Sequence, residues 1–429
     1  MSAELSLSHR GGPLTAADID AAAERIAGVV APTPLQLSER LSAATDATVY
    51  LKREDLQSVR SYKLRGAYNL LMQLSAGELA AGVVCSSAGN HAQGFAHACR
   101  SMRIHGRVYV PHKTPKQKRD RIRFHGGDFI ELIAVGSTYD AAAAAALEDV
   151  ARTGATLVPP FDDPRTIAGQ GTIAAEILDQ LGDEPDLVVV PVGGGGCVAG
   201  ITIYLAERTT TTSVLGVEPA GAAAMIAALA AGEPVTLEHV DQFVDGAAVN
   251  RAGALTYAAL AAAGDMVSVT TVDEGAVCTA MLDLYQNEGI IAEPAGALSV
   301  TALMETDQVE PGSTVVCLIS GGNNDVSRYG EILERSLVHL GLKHYFLVDF
   351  PQEPGALRRF LDQVLGPNDD ITLFEYVKRS NRETGAALVG IELGSAENLD
   401  GLLHRMAASE MDAERLSPDS PAYRYLINP

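Results

Sequence analysis

Apolar and polar positions change period repeatedly along this chain of 429 residues. Short β-branched runs give way to stretches whose apolar residues recur three or four positions apart, the signature of strand followed by helix. "ATVYLKRED" (47–55) predicts a strand, and Leu64, Ala67, Leu70 and Leu71 predict a helix whose first turn carries Lys63. "GVVCSSAGN" (82–90) then leads into "HAQGFAHACRSM", and "GRVYVP" (106–111) into "PKQKRDRIRFHG". "FIELIAVG" precedes the alanine-rich "TYDAAAAAALEDVARTG", which is helix propensity with small packing faces. "DLVVVPVGGGGCVAGITIYLAE" (186–207) is a buried strand, a glycine turn and a helix. "SVLGVEPAGAAAMIAALAAG" repeats that unit, and "STVVCLISGGNND" (313–325) is a last core strand ending in a glycine turn.

Alternation of this kind predicts an α/β body with open, twisted, largely parallel sheets covered on both faces. Ligands are then expected at the carboxyl ends of the strands. Near residue 340 the texture changes to strand, turn, helix, strand, turn, strand, and then a final helix and weak strand, a small α+β module. The expected division is a flexible terminus over 1–17, a catalytic body over 18–337 with a smaller subdomain at about 50–160, and the module over 338–429.

Composition narrows the function. The net charge of −22 argues against a nucleic-acid or anionic-membrane partner. Against it stands one basic cluster, "KTPKQKRDRIR" (113–123), read as a solvated loop and helix start. Five scattered cysteines in apolar runs suggest reduced core thiols of a cytoplasmic protein, and no His or Cys spacing suggests a metal site. No apolar run is long enough for a signal peptide core or a membrane span.

Three strand-end turns carry the chemistry. Four consecutive glycines, Gly193 to Gly196, between a buried strand and a helix expose backbone N–H groups at the positive helix end, which suits a phosphate. They match neither a dinucleotide fingerprint nor a nucleotide P-loop. In "SSAGNHAQG", Asn90 and His91 open a helix where backbone donors can hold a carboxylate. Ser320 directly follows a buried strand, where its hydroxyl can reach a cleft. A lysine for an aldehyde, glycines for a phosphate and polar partners for a ring together ask for pyridoxal phosphate (PLP).

The motifs "SYKLRGA", "SAGNHAQG", "GGGGCVAG", "NEGIIAEPAGA" and "SGGNND", in this order, resemble those of the biosynthetic threonine dehydratases (threonine ammonia-lyases), in the tryptophan-synthase-β-like, fold type II class of PLP enzymes. The resemblance covers about residues 18 to 420. It implies that Lys63 is the Schiff-base lysine and the catalytic base, and that Asn90 bonds the cofactor's 3′-oxygen. Gly193, Gly194, Gly195 and Gly196 with the Cys197 amide cradle the phosphate, and Ser320 faces the pyridine nitrogen. Ser87, Gly89, Asn90 and His91 grip the substrate carboxylate. Cys197 stands where relatives often carry leucine, which matters little to a backbone contact. Lys52 and Lys113 have no predicted bond to the cofactor and serve as comparison lysines.

The implied reaction is β-elimination of L-threonine, and also of L-serine, to a 2-oxoacid and ammonia, the entry to isoleucine synthesis. The C-terminal module resembles the ACT-like regulatory domain of these enzymes, so isoleucine is expected as an allosteric inhibitor of a homo-oligomer, tetramer or dimer. Its turn "FPQEPGALRRF" (350–360) is the expected effector site, and Phe350, Leu357 and Phe374 nearby fit either the lining of a pocket for a branched side chain or a packed core. Two rival readings are a serine dehydratase or racemase with the same cofactor, and an amino-acid-sensing protein without catalysis.

Overall fold

A computed structural model describes residues 8–9, 12–376, 383–417, 420 and 422–423. The chain forms two compact units that part between Asn324 and Asp325.

Among the described residues the first unit holds two large sheets and a two-stranded antiparallel pair, Ser8–His9 with Gly12–Pro13. The larger has six strands in the order Val267–Val272, Ser213–Pro219, Leu187–Pro191, Thr314–Ile319, Thr48–Arg53 and Leu35–Leu37. All neighbours are parallel except the last, where Leu35 pairs with Lys52 and Leu37 with Tyr50 in antiparallel register. The smaller sheet is wholly parallel, in the order Ile130–Ala134, Gly106–Val110, Val83–Ser86 and Thr156–Leu157. Burial on both faces explains the near-continuous apolar runs: every residue of Leu187–Pro191 is buried, as are Val315 to Ile319.

Two features differ from the sequence expectation. The Thr48–Arg53 strand belongs to the larger sheet because it pairs with Thr314–Ile319 across more than 260 residues, so the smaller sheet begins only at Val83. The antiparallel edge strand Leu35–Leu37 has only three residues, too few for a readable period.

Each sheet has a point where successive connections diverge, and such a point opens a crevice at the strand ends. In the larger sheet it lies between Leu187–Pro191 and Thr314–Ile319, whose carboxyl ends carry Gly193–Gly196 and Ser320–Asn323. In the smaller sheet it lies between Val83–Ser86 and Thr156–Leu157, which lead into Ser87–Gly89 and Val158–Phe161. The helix Lys63–Leu71 packs beside both the helix Asn90–Met102 and the helix Pro164–Leu181. Lys63 thereby stands where the two crevices meet.

The second unit is an antiparallel four-stranded sheet in the order Asp370–Tyr376, Thr384–Glu392, Lys343–Pro351 and Asp412–Arg415, with helices Ala356–Val364 and Leu399–Ala408. Its core gathers Phe346, Val348, Phe350, Phe360, Val389, Ile391 and Leu402. The preceding helix Tyr329–His339 belongs here too, because Glu334 takes the Tyr345 hydroxyl and pairs with Lys343, and Val338 packs on Tyr345. That helix moves the division from the expected 337/338 to Asn324/Asp325.

Candidate active site

The turn before Lys63 is fixed by the loop that follows the neighbouring strand Thr314–Ile319. Tyr62 N–H donates to the Ser320 carbonyl (3.2 Å), Ser61 bridges Gly321, and Gly322 N–H donates to the Arg60 carbonyl (2.9 Å). Arg60 adopts φ 56°, a conformation L-residues rarely take, which turns the chain sharply into the helix. Lys63 is partly buried, and its Nζ donates to the Pro160 carbonyl at 3.1 Å. That acceptor is shared with Gln170 Nε2 at 3.0 Å. Burial pulls the amine down to about 8, against the opposing pull of the Cys197 thiol and the Glu293 carboxyl. That leaves about a tenth of the amine uncharged at pH 7, far more than an ordinary lysine keeps, and the uncharged form is what an amine nucleophile requires.

Directly beneath, the charges are fully matched. Arg65 is completely buried and spends all five donors: Nε and Nη2 on Glu54 (2.9 and 2.7 Å), Nη1 and Nη2 on Glu176 (2.6 and 2.9 Å), and Nη1 again on Thr172 (3.0 Å). Lys52, also completely buried, donates to Glu176 (2.6 Å), the Thr33 carbonyl (2.7 Å) and Gln180 (3.1 Å). Burial would lift the Glu176 carboxyl, but Arg65 and Lys52 hold it below the ordinary range. Lys52 is thus committed to this network, whereas Lys113, the other comparison lysine, is exposed.

The glycine turn is a backbone cradle. A Cβ on Gly194 would come within 2.3 Å of the Phe161 ring, one on Gly195 within 2.5 Å of Met225 Cε, and one on Gly196 within 2.5 Å of Gln170 Oε1. Gly195 also has φ +91°. Thr256 Oγ donates to the Gly194 carbonyl at 2.7 Å and turns it outward from the loop. Among the described residues, no N–H from Gly193 to Cys197 meets a protein acceptor, so five donors at a helix N-terminus are left for an anion. The Cys197 thiol itself is buried and pushed up to about 12 by burial, so it contributes as backbone.

Ser320 follows the strand Thr314–Ile319, buried, with its hydroxyl donating at 3.3 Å to the Ala295 carbonyl. On the smaller sheet's side, Ser87 Oγ accepts from Gly89 N–H at 3.3 Å, and the amides of Ala88, Asn90 and His91 have no protein acceptor among the described residues. The His91 side chain points elsewhere: Nε2 lies 2.7 Å from the Val158 carbonyl, and burial lowers the ring to about 4, so it is neutral. What His91 leaves open to this loop is its backbone N–H, since its imidazole is engaged with Val158. Asn90 joins the two sides, with Nδ2 donating to Glu293 Oε1 at 2.5 Å and Oδ1 accepting from Asn323 Nδ2 at 2.7 Å.

The sequence-derived cofactor and substrate residues thus lie on three of the four strand-end loops, at the heads of the helices Asn90–Met102 and Gly196–Arg208 that follow two of them, and at the head of the Lys63 helix. Glu293, Asn323, Phe161, Gln170 and the Arg65 network escaped the sequence reading. Three of them sat inside quoted motifs, Arg65 in "SYKLRGA", Glu293 in "NEGIIAEPAGA" and Asn323 in "SGGNND".

A cradle of free amides, a lysine amine with a lowered proton affinity and a neutral serine fit a phosphorylated aldehyde ring. The profile of the family described as "Pyridoxal-phosphate dependent enzyme" matches residues 26–321. The chain belongs to this family. Its cofactor is pyridoxal phosphate. A second profile, "C-terminal regulatory domain of Threonine dehydratase", matches residues 334–426. The chain is 84% identical over 430 residues to a biosynthetic L-threonine dehydratase of Mycobacterium tuberculosis, covering 100% of both. It is 48% identical to that of Bacillus subtilis, covering 94% of this chain and 95% of the relative. Among solved structures, the processed threonine deaminase isoform 2 of Solanum lycopersicum aligns with TM-score 0.69 and 38% identity over 75% of this chain and 92% of that one. Maize serine racemase aligns with TM-score 0.69 and 29% identity over 76% and 98%.

Proposed function

We propose that this chain is an L-threonine ammonia-lyase, converting L-threonine to 2-oxobutanoate and ammonia at the head of isoleucine synthesis. One observation carries the reading: an 84% identity to a biosynthetic threonine dehydratase that runs through the regulatory unit as well as the catalytic one. Bound pyridoxal phosphate supplies an electron sink that acidifies the substrate Cα–H and lets the β-hydroxyl leave. The chain supplies the rest. Lys63 Nζ would hold the aldehyde carbon until the substrate amine displaces it, and the amine so freed would take the Cα proton, a role suited to a group brought down to about 8. Gly193 to Gly196 and the Cys197 amide hold the phosphate, and the Asn90 amide addresses the ring oxygen. Ser320 offers the ring nitrogen a neutral hydroxyl, which does not hold a positive charge there as a carboxylate would. The Ser87–His91 loop grips the substrate carboxylate, through Ser87 Oγ and the backbone amides around Gly89.

Isoleucine acts at the second unit, and the enzyme works in the cytoplasm as a dimer or tetramer. The regulatory profile over 334–426 supports the first of these assignments. The turn into the helix Ala356–Val364 has Gly355 at φ +88° at the helix N-terminus, which lets backbone donors approach a carboxylate. Phe350 is not free to line a pocket: it is buried against Phe360 and Phe374, with ring centroids 5.2 and 5.7 Å away. Leu357 stands 42% exposed. The deciding experiment measures 2-oxoacid release from threonine and from serine, each with and without isoleucine. Threonine turnover that isoleucine lowers is expected. A purified PLP-loaded protein that releases no 2-oxobutanoate overturns the assignment.

A further inference from the structure

We propose that Glu293 is a positioning residue which, with Asn323, fixes the side-chain amide of Asn90 so that its one uncommitted N–H donor faces the cofactor ring. The inference rests on the reading of Asn90 as the partner of the ring oxygen and adds what sets that partner's polarity.

The hydrogen bonds define the direction at every step. Asn323 Nδ2 donates to the Val59 carbonyl at 2.8 Å, and a carbonyl only accepts, so the nitrogen of that amide is fixed there. The same nitrogen gives its second hydrogen to Asn90 Oδ1 at 2.7 Å. Asn90 Oδ1 is thereby committed as an acceptor, and Nδ2 must be the other end. Nδ2 gives one hydrogen to Glu293 Oε1 at 2.5 Å. Glu293 Oε2 accepts the Asn323 backbone N–H at 3.2 Å, which closes a ring. An amide nitrogen has two hydrogens, so one donor of Asn90 is left over. A carboxylate suits this ring because both of its oxygens accept at once.

The fold reserves the place for that carboxylate. Glu293 is only 5% exposed, directly before the helix Pro294–Glu305, and its N–H donates to the Gly321 carbonyl at 3.1 Å. A Cβ at Gly321 would sit 2.4 Å from Glu293 Oε1, so glycine is needed there to admit the carboxyl. Burial, then Asp245, lifts the carboxyl to about 7, while the Asn90 and Asn323 donors and the Lys118 charge oppose the rise. Lys63 and Tyr62 also feel its charge. No substrate chemistry assigned above uses this carboxyl, which leaves orientation of Asn90 as its work.

The test is a double-mutant cycle read as PLP affinity of the apoprotein by equilibrium dialysis, with thermal melts to confirm folding. Glu293→Gln has one acceptor where the ring needs two, and sets an NH₂ against a donor. It is expected to weaken PLP binding about tenfold. In an Asn90→Ala background the same substitution should change affinity less than about twofold, because its effect runs through the absent amide. An unchanged affinity in Glu293→Gln, or an equal tenfold loss in both backgrounds, overturns the proposal. If Glu293→Gln does not fold, Asn323→Ser, which removes the amide donors to Asn90 Oδ1 and to the Val59 carbonyl but keeps the backbone N–H to Glu293, decides by the same cycle, because only the part of its effect that runs through Asn90 is lost in the Asn90→Ala background. Failure of the underlying cofactor reading looks different: Asn90→Ala alone would then leave PLP affinity at the wild-type value.

Discussion

Lys52 and Lys63 lie eleven residues apart in one sheet-to-helix segment and have opposite surroundings. Burial pulls both amines below the ordinary lysine range. Lys52 is answered by Glu176 and two further acceptors, so every N–H it has is spent. Lys63 has one backbone carbonyl, and the carboxyl whose charge reaches it, Glu293, is itself lifted toward neutrality and engaged with Asn90. A matched buried charge is structure. A buried charge given almost nothing is held ready for a partner that arrives later. The Arg65 network and the head of its own helix differ in just this way, although Arg65 lies only two positions after Lys63.

Substituting each lysine by methionine separates the two roles most sharply. Lys63→Met should retain its fold and lose about 10²- to 10⁴-fold or more in turnover, since the proton acceptor and the cofactor's anchor go together. Lys52→Met should instead destabilise by about 3–5 kcal/mol, the cost of leaving part of a buried ion network unanswered, with turnover per folded molecule nearly kept. Urea melts and threonine turnover on both variants check this, with Lys113→Met as the silent control. A melt unchanged in Lys52→Met would mean that the network is not what holds the Lys63 helix in place.

The second prediction turns the comparison into a pH dependence. Only an uncharged amine attacks an aldehyde, and a lowered proton affinity enlarges that fraction at neutral pH. With Lys63 at about 8, PLP uptake by the apoprotein should rise about tenfold between pH 6 and 7 and level off above about 8. An ordinary lysine would still be gaining rate beyond pH 9. Stopped-flow absorbance on the apoprotein across pH 6 to 10 gives the curve, and a rise continuing to pH 10 would show that burial does not tune this amine.

What the sequence made legible was local. The strand before Lys63, the glycine turn after Leu187–Pro191 and the serine after Thr314–Ile319 each announce themselves within a dozen residues, because the chain enters and leaves the site at strand ends. The pairing of Thr48–Arg53 with Thr314–Ile319 has no such local trace, which is why the smaller subdomain looked larger than its sheet. Glu293 was hidden for a similar reason. A glutamate before Pro294 reads as an ordinary helix entry, and only the fold brings it to Asn90, 203 residues away. His91 went the other way: its position at the helix head was readable, but the choice of its ring to bond Val158 was not. In the second unit the order of elements was clear from periodicity, whereas the aromatic packing of Phe350 was equally compatible with a pocket or a core.

The last prediction extends the comparison from residues to units, where the expected effect is smallest. Feedback requires isoleucine to prefer an inactive arrangement, and a coupling of about 1–3 kcal/mol is enough. Cutting after Asn324 removes the whole second unit at its natural division, so threonine turnover should persist and respond to isoleucine no longer. Cutting near residue 338 is the poorer experiment. It keeps most of the helix Tyr329–His339 but strips Glu334 of Lys343 and Tyr345, leaving a helix whose packing partners are gone. In the full chain, Gly355→Val tests the same point without truncation. A β-branched residue at φ +88° is strained at that turn and should shift half-inhibition by isoleucine several-fold while leaving threonine turnover unchanged. Isoleucine inhibition that survives both the cut at Asn324 and Gly355→Val would place the effector in the catalytic unit instead.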